Sequence, residues 1–126
     1  MNKFDLCVIG GGVVGSMVLR ALSKYDLKIC LVEKESDVAL GASRANTGIV
    51  HGGFDAKENT NKALYNVKGA KMMPTVAKEL GVKYQNNGTL VVGFSQQDLE
   101  TLKDLYNRGV KNGVSKHHGY RNSRQR

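Results

Sequence analysis

Cysteine is scarce in this chain of 126 residues. Only Cys7 and Cys30 are present, each inside an apolar run. No Cys-x-x-Cys spacing occurs, which argues against a disulfide framework or a cysteine-ligated metal, and no metal site is expected. Both thiols are expected to be small, buried core residues, in a chain suited to the reducing cytoplasm. Long apolar runs are also missing. The stretch 13–19 is too short to span a bilayer. At the start, Asp5 and a cluster of glycines break up the apolar residues, so no secretory signal is expected. No internal repeat is present, and proline occurs once, at Pro74.

What remains is ordinary for a globular protein: 40% hydrophobic and 24% charged residues. The length suits one domain with one core, and is too short for a nucleotide-binding domain plus a separate substrate domain. Net charge is +8, and residues 111–126 supply +5 of it without a single acid. Such a tail can attract polyanions nonspecifically. No nucleic-acid motif accompanies it, so a solvated terminus is expected and no specific nucleic-acid partner.

Residues 4–9 (FDLCVI) form a short apolar run that ends in three glycines and predicts a buried strand. Residues 13–24 carry Val14, Met17, Val18, Ala21 and Leu22 at helical spacing, with one face inward. Residues 28–32 (KICLV) predict a second buried strand, which completes a βαβ unit. Residues 34–46 form a polar connection with room for one helical turn, and residues 47–53 are glycine-rich and irregular. A helix is expected over 60–80, broken or kinked at Pro74. Residues 82–85 and 89–94 flank Asn86-Asn87-Gly88, which predicts a β-hairpin. Ser95 and Asp98 have the spacing of a capping box and open a helix carrying Leu99, Leu102, Leu105, Tyr106 and Val110. From 115 onward the pattern stops.

The chemistry concentrates in three places. Gly10-x-Gly12-x-x-Gly15 follows a strand and opens a helix, the context in which such a motif holds a dinucleotide. Gly10 permits the tight turn. Gly12 lacks a Cβ, so a pyrophosphate can approach the backbone. Gly15 lets the helix lie close to the strand, and the helix N-terminus offers amides and a positive dipole end. Glu33, at the end of the second strand, can accept hydrogen bonds from both ribose hydroxyls and disfavours a 2′-phosphate. FAD or NAD is therefore expected, not NADP. The third place is the segment 41–53 (GASRANTGIVHGG), whose hydroxyl, amide and guanidinium groups suit phosphates or a polar ring edge.

The run DLCVIGGGVVGSMVLRALSKYDLKICLVEKE followed by GASRANTGIVHGGFDA resembles the FAD-dependent oxidoreductases of the D-amino-acid-oxidase superfamily. It is most similar to the branch of glycerol-3-phosphate and L-2-hydroxyglutarate dehydrogenases. Lys62–Gly69 (KALYNVKG), Glu79–Val82 (ELGV) and Gly88–Val92 (GTLVV) continue it. The resemblance covers residues 3 to about 113. It implies an α/β fold: a Rossmann-like FAD-binding βαβ unit, the incomplete N-terminal part of a discontinuous FAD domain.

The same resemblance implies roles. Gly10, Gly12 and Gly15 would face the FAD pyrophosphate and Glu33 the adenosine ribose. Ser43, Arg44, Asn46, Thr47 and Gly48 would line the pyrophosphate and approach the isoalloxazine ring. His51 would lie near the flavin, where orienting the ring, assisting proton removal and closing the pocket are all open to it. The complete enzyme would pass hydride from a substrate carbon bearing a hydroxyl to flavin N5. Its substrate would be glycerol 3-phosphate or, alternatively, a small hydroxylated acid such as L-2-hydroxyglutarate.

Members of this family run to several hundred residues. Residues 1–113 are therefore expected to form the first part of an FAD-binding domain, with 114–126 a basic, disordered tail. Exposed strand edges and a marginal fold are expected, with no turnover by this polypeptide by itself. A dinucleotide-binding module with a partner subunit, or a truncation product without catalysis, are the competing readings.

Overall fold

A computed structural model of the chain describes residues 3–114 and Gly119. The remainder of the expected basic tail lies outside the described residues. The described chain divides into two compact units between Ile49 and Val50.

The first unit is the βαβ segment. Strand β1 (Leu6–Ile9), helix α1 (Val13–Leu22) and strand β2 (Ile29–Val32) follow one another. The strands pair in parallel, with Leu6 opposite Ile29, Cys7 opposite Cys30, Val8 opposite Leu31 and Ile9 opposite Val32. Asp5 extends the pairing, because its amide donates to the Lys28 carbonyl and its carboxylate accepts the Lys28 amide. Alternation along each strand turns Val8 toward α1 and leaves its neighbours on the opposite face. Val8 is buried, while Ile9 is 86% exposed. At its C-terminal end, α1 places Arg20 in the last turn, where a cation complements the helix dipole.

Three expectations about this unit are corrected. The strands are covered on one face only, not buried on both. Cys7 is accordingly exposed and Cys30 half-buried, rather than both being core residues. Helix α1 has no fully buried residue, and Val14 and Val18 are exposed. The reason is common to all three: a sheet of two strands offers one narrow surface, too small to cover both a helix stripe and its own reverse face. The connection over 34–46 forms turns and no helix.

The second unit holds helix α2 (Asn61–Glu79) and helix α3 (Gln96–Lys111). Thr60 caps α2: its hydroxyl accepts the Ala63 amide at 3.2 Å and donates to the Lys57 carbonyl at 2.6 Å. Of the kink or break expected at Pro74, the break does not occur: α2 is continuous through it. Ala63 and Val67 on one side of the proline, and Val76 and Ala77 on the other, are all buried. Packing on both sides holds the helix together against one missing amide donor. The capping box at α3 forms as expected. Ser95 Oγ accepts the Asp98 amide, and the Asp98 carboxylate accepts the Ser95 and Phe94 amides.

The last turns of α3 tie down the loop before α2. Asn112 Nδ2 donates to the carbonyls of Gly53 and Ala56, Arg108 donates to the Asp55 carbonyl, and Lys111 pairs with Glu58 at 3.1 Å. The expected hairpin over 82–94 is absent: Gly88 takes the left-handed φ of 77° that a turn needs, but the flanking residues do not pair as strands. A two-stranded hairpin is marginal without a third strand or a helix against its apolar face. Here Leu90 and Phe94 are each 92% exposed.

Candidate functional site

The glycine turn between β1 and α1 is held from three directions. Gly10 has a φ of 101°, accessible to glycine and strained for any other residue. Its amide donates to the Val32 carbonyl at 2.8 Å. The Gly11 carbonyl accepts the Ala39 amide at 3.0 Å. The Gly11 amide donates to Glu33 Oε2 at 2.6 Å. A Cβ on Gly15 would stand 1.9 Å from the Gly10 carbonyl oxygen, so the helix packs against the turn at a distance only glycine permits.

Glu33 is more heavily engaged than its place at a strand end predicts. Beyond the Gly11 amide, its Oε1 accepts the amides of Lys34 and Glu35 at 2.8 and 3.0 Å. These bonds, led by that from Glu35 and then Gly11, hold its carboxyl below the usual range. A carboxylate has about four acceptor sites. Three are occupied within the chain, and the open one is on Oε2.

Helix α1 begins without a cap from its own sequence, because Gly12 carries no side chain. Ser43 supplies one from 30 positions away: its Oγ accepts the Val13 amide at 2.7 Å. The hydroxyl stands 3.2 Å from the place a Gly12 Cβ would take. A side chain at Gly12 would press on the Ser43 hydroxyl. Helical geometry leaves the next amides, those of Val14 and Gly15, without intrahelical carbonyl partners.

The rest of the third segment builds its own loop. Asn46 Nδ2 donates to the Ser43 carbonyl, and Asn46 Oδ1 accepts the Gly48 amide at 2.8 Å. Gly48 adopts a φ of 68°. Arg44 and Thr47 are exposed. The structure thus gathers Gly10, Gly12, Gly15, Glu33 and Ser43 about the start of α1, with Arg44, Asn46, Thr47 and Gly48 continuing from Ser43 along an exposed loop. His51 belongs to the second unit and is exposed.

Gly11 escaped the sequence reading, because the three-glycine pattern counts it as a spacer. Yet it is buried, and a Cβ there would stand 2.9 Å from a Val38 methyl. Its one sequence signal is that it makes Gly10–Gly12 an unbroken triplet.

This arrangement can hold a dinucleotide. The turn brings bare backbone to a helix N-terminus, and a carboxylate stands one strand away with an acceptor site open. Among the described residues no three His, Cys, Asp or Glu side chains gather as a metal site. Among the same residues no helix is long and apolar enough to cross a membrane.

Comparison with known proteins points the same way. The family model described as FAD dependent oxidoreductase matches residues 5–124. A glycerol 3-phosphate dehydrogenase of Caloramator mitchellensis is 43% identical over 111 residues, which is 88% of this chain and 23% of that protein. A glycerol 3-phosphate oxidase of Mycoplasma pneumoniae is 38% identical over 91% of this chain and 30% of its own length. A mitochondrial L-2-hydroxyglutarate dehydrogenase of Homo sapiens is 35% identical over 90% of this chain and 25% of its own length. The chain thus spans less than a third of each of these relatives. Among solved structures, dithionite-reduced L-alpha-glycerophosphate oxidase from Mycoplasma pneumoniae with FAD bound superimposes with a TM-score of 0.79. That match has 32% identity and covers 92% of this chain and 30% of the other.

Proposed function

Because the chain belongs to the FAD dependent oxidoreductase family, we propose that it is the FAD-holding N-terminal portion of a flavin-dependent dehydrogenase. In that reading the complete enzyme oxidises a carbon–hydroxyl bond, of glycerol 3-phosphate or a close analogue, in the cytoplasm. The observation that carries the reading is the glycine turn, closed by the Glu33–Gly11 hydrogen bond at the start of α1. The higher identity to the two glycerol 3-phosphate enzymes than to the human hydroxyglutarate enzyme supports the substrate class.

When bound, FAD supplies the hydride acceptor. The chain's own residues bind and orient. Gly10, Gly12 and Gly15 present backbone to the pyrophosphate, and the positive end of α1 favours its charge. Glu33 is held ionised by three amides and offers its open Oε2 site to one ribose hydroxyl. Ser43, Arg44, Asn46, Thr47 and Gly48 line the path from the pyrophosphate toward the flavin ring. Arg44 is the cation of that segment, able to grip phosphate oxygens in a fork. His51 is assigned a place beside the flavin, where it orients the ring or takes the hydroxyl proton of the substrate.

The test is flavin retention. The purified 126-residue chain is mixed with FAD and passed through gel filtration, and visible flavin absorbance is read in the protein peak. Co-elution of flavin with folded chain is the expected result. Folded chain emerging colourless overturns the reading.

A further inference from the structure

The face of the β1–β2 sheet turned away from α1, uncovered among the described residues, brings together two groups that the proposed cofactor site leaves unused. Cys7 and Cys30 are direct partners in the parallel register. Side chains of partnered residues share a face, and paired strands stand about 4.8 Å apart. A disulfide spans Cα separations of about 4.4–6.8 Å. The thiols meet across the strands. Hydrogen bonding to the Cys7 side chain, with some burial and the charge of a neighbouring Cys7 thiolate, holds the Cys30 thiol above its ordinary range. Cys30 Sγ also donates to the Leu6 carbonyl at 3.7 Å. Both cysteines are free, Cys7 exposed and Cys30 half-buried, so a reagent from solvent reaches Cys7 first.

We propose that Cys7 and Cys30 are a modification site: a vicinal thiol pair that small-molecule disulfides oxidise to an intrachain bond across β1 and β2. In the first step the Cys7 thiolate attacks one sulfur of the reagent. The reagent's S–S bond breaks, one reagent thiolate leaves, and a mixed disulfide remains on Cys7. In the second step Cys30, its proton lost to solvent, attacks Cys7 Sγ and expels the second reagent thiolate. The protein gives up two protons and two electrons, and the reagent becomes two thiols. The second step speeds up with rising pH, because Cys30 must lose its proton before it attacks. Each cysteine stands three residues before a site group, Cys7 before Gly10 and Cys30 before Glu33. The bond would therefore fasten together the two strands that carry the glycine turn and the carboxylate.

The experiment exposes the reduced full chain to oxidised glutathione, in native buffer and in urea, and follows free thiols, intact mass and non-reducing electrophoresis. Both thiols are expected to disappear with a mass lower by two hydrogens and no dimer band. A peptide joining Cys7 to Cys30 is expected in the digest, and closure should be at least ~10-fold faster in native buffer than in urea, where the pair is no longer held together. Cys30→Ser is expected to stop at a stable glutathione adduct on Cys7. In a second measurement, phenylarsine oxide, which requires two adjacent thiols, is expected to consume both at one equivalent. Equal closure rates in the two buffers, persistent adducts on both cysteines of the unaltered chain, or dimers joined between chains would each overturn the proposal.

Discussion

The carboxylate of Glu33 accepts the amide of Gly11 at 2.6 Å, so the end of β2 is bonded directly to the turn that follows β1. A side chain expected to meet a ligand is thereby also a brace for the loop meant to hold that ligand's phosphates. The two duties are separable by mutation. Glu33→Ala removes both and is expected to weaken FAD binding about tenfold or more, read as quenching of flavin fluorescence on titration. Glu33→Gln keeps an acceptor for the Gly11 amide without the charge, and is expected to fall between Ala and the unaltered chain. Equal affinity in all three would remove Glu33 from the site.

Acid should loosen both units. Amide donors hold the carboxyls of Glu33 and Asp98 below their ordinary ranges in the folded chain. Each group therefore contributes stability that is complete above the unfolded carboxylate range, about pH 4. That contribution drains away as pH falls through the depressed folded value. Urea midpoints measured from neutral pH down to about pH 2.5 should decline on the acid side. Asp98→Asn should show a lower midpoint at neutral pH and a shallower acid decline, since its contribution is already gone.

Two glycines in helices should respond in opposite ways to alanine. Gly15→Ala forces a methyl to within 1.9 Å of the Gly10 carbonyl oxygen, and strain of this kind costs about 3 kcal/mol or more. Loss of the βαβ unit by circular dichroism, and of flavin retention with it, is expected. Gly69, within α2, has nothing within 4 Å of its Cβ position. Gly69→Ala is expected to stabilise the chain by about 0.5–1 kcal/mol in urea unfolding, from helix propensity.

Ser43→Ala leaves the Val13 amide without its cap. The expected cost is about 1 kcal/mol in urea unfolding, the usual value of a lost helix cap. Ser43→Thr keeps the hydroxyl and should recover most of it.

The βαβ unit was legible in the sequence because two independent signals coincide there: apolar runs of strand length, and glycines placed where a turn and a close helix need them. The cap at Ser95 was legible for a similar reason, since a cap acts within four residues of itself. Less legible was anything that depends on what covers a surface. The runs around Cys7 and Cys30 show which residues are apolar, not whether a second layer lies over them. The segment 82–94 has the composition of a hairpin but no sheet to join. Pro74 carries a strong local penalty, yet burial on both sides of it decided the outcome. Within the site, the motif rule pointed to Glu33 as a ligand-binding group. The three amides it accepts, and the Ser43 hydroxyl reaching α1 from 30 positions away, arise only once the chain is folded.

That hydroxyl has a further consequence. Because Ser43 already satisfies the Val13 amide, the terminus of α1 is in the position of a seat with an occupant. In the proposed reading, an arriving phosphate oxygen would not find a bare donor there; it would trade places with an alcohol. The gain at that atom is the difference between a charged and a neutral acceptor rather than the whole of a new hydrogen bond. Release of a nucleotide would return the Val13 amide to the Ser43 hydroxyl rather than leave it without a partner. Ser43 would thus make loading at this atom an exchange, easier to reverse than binding to a vacant donor.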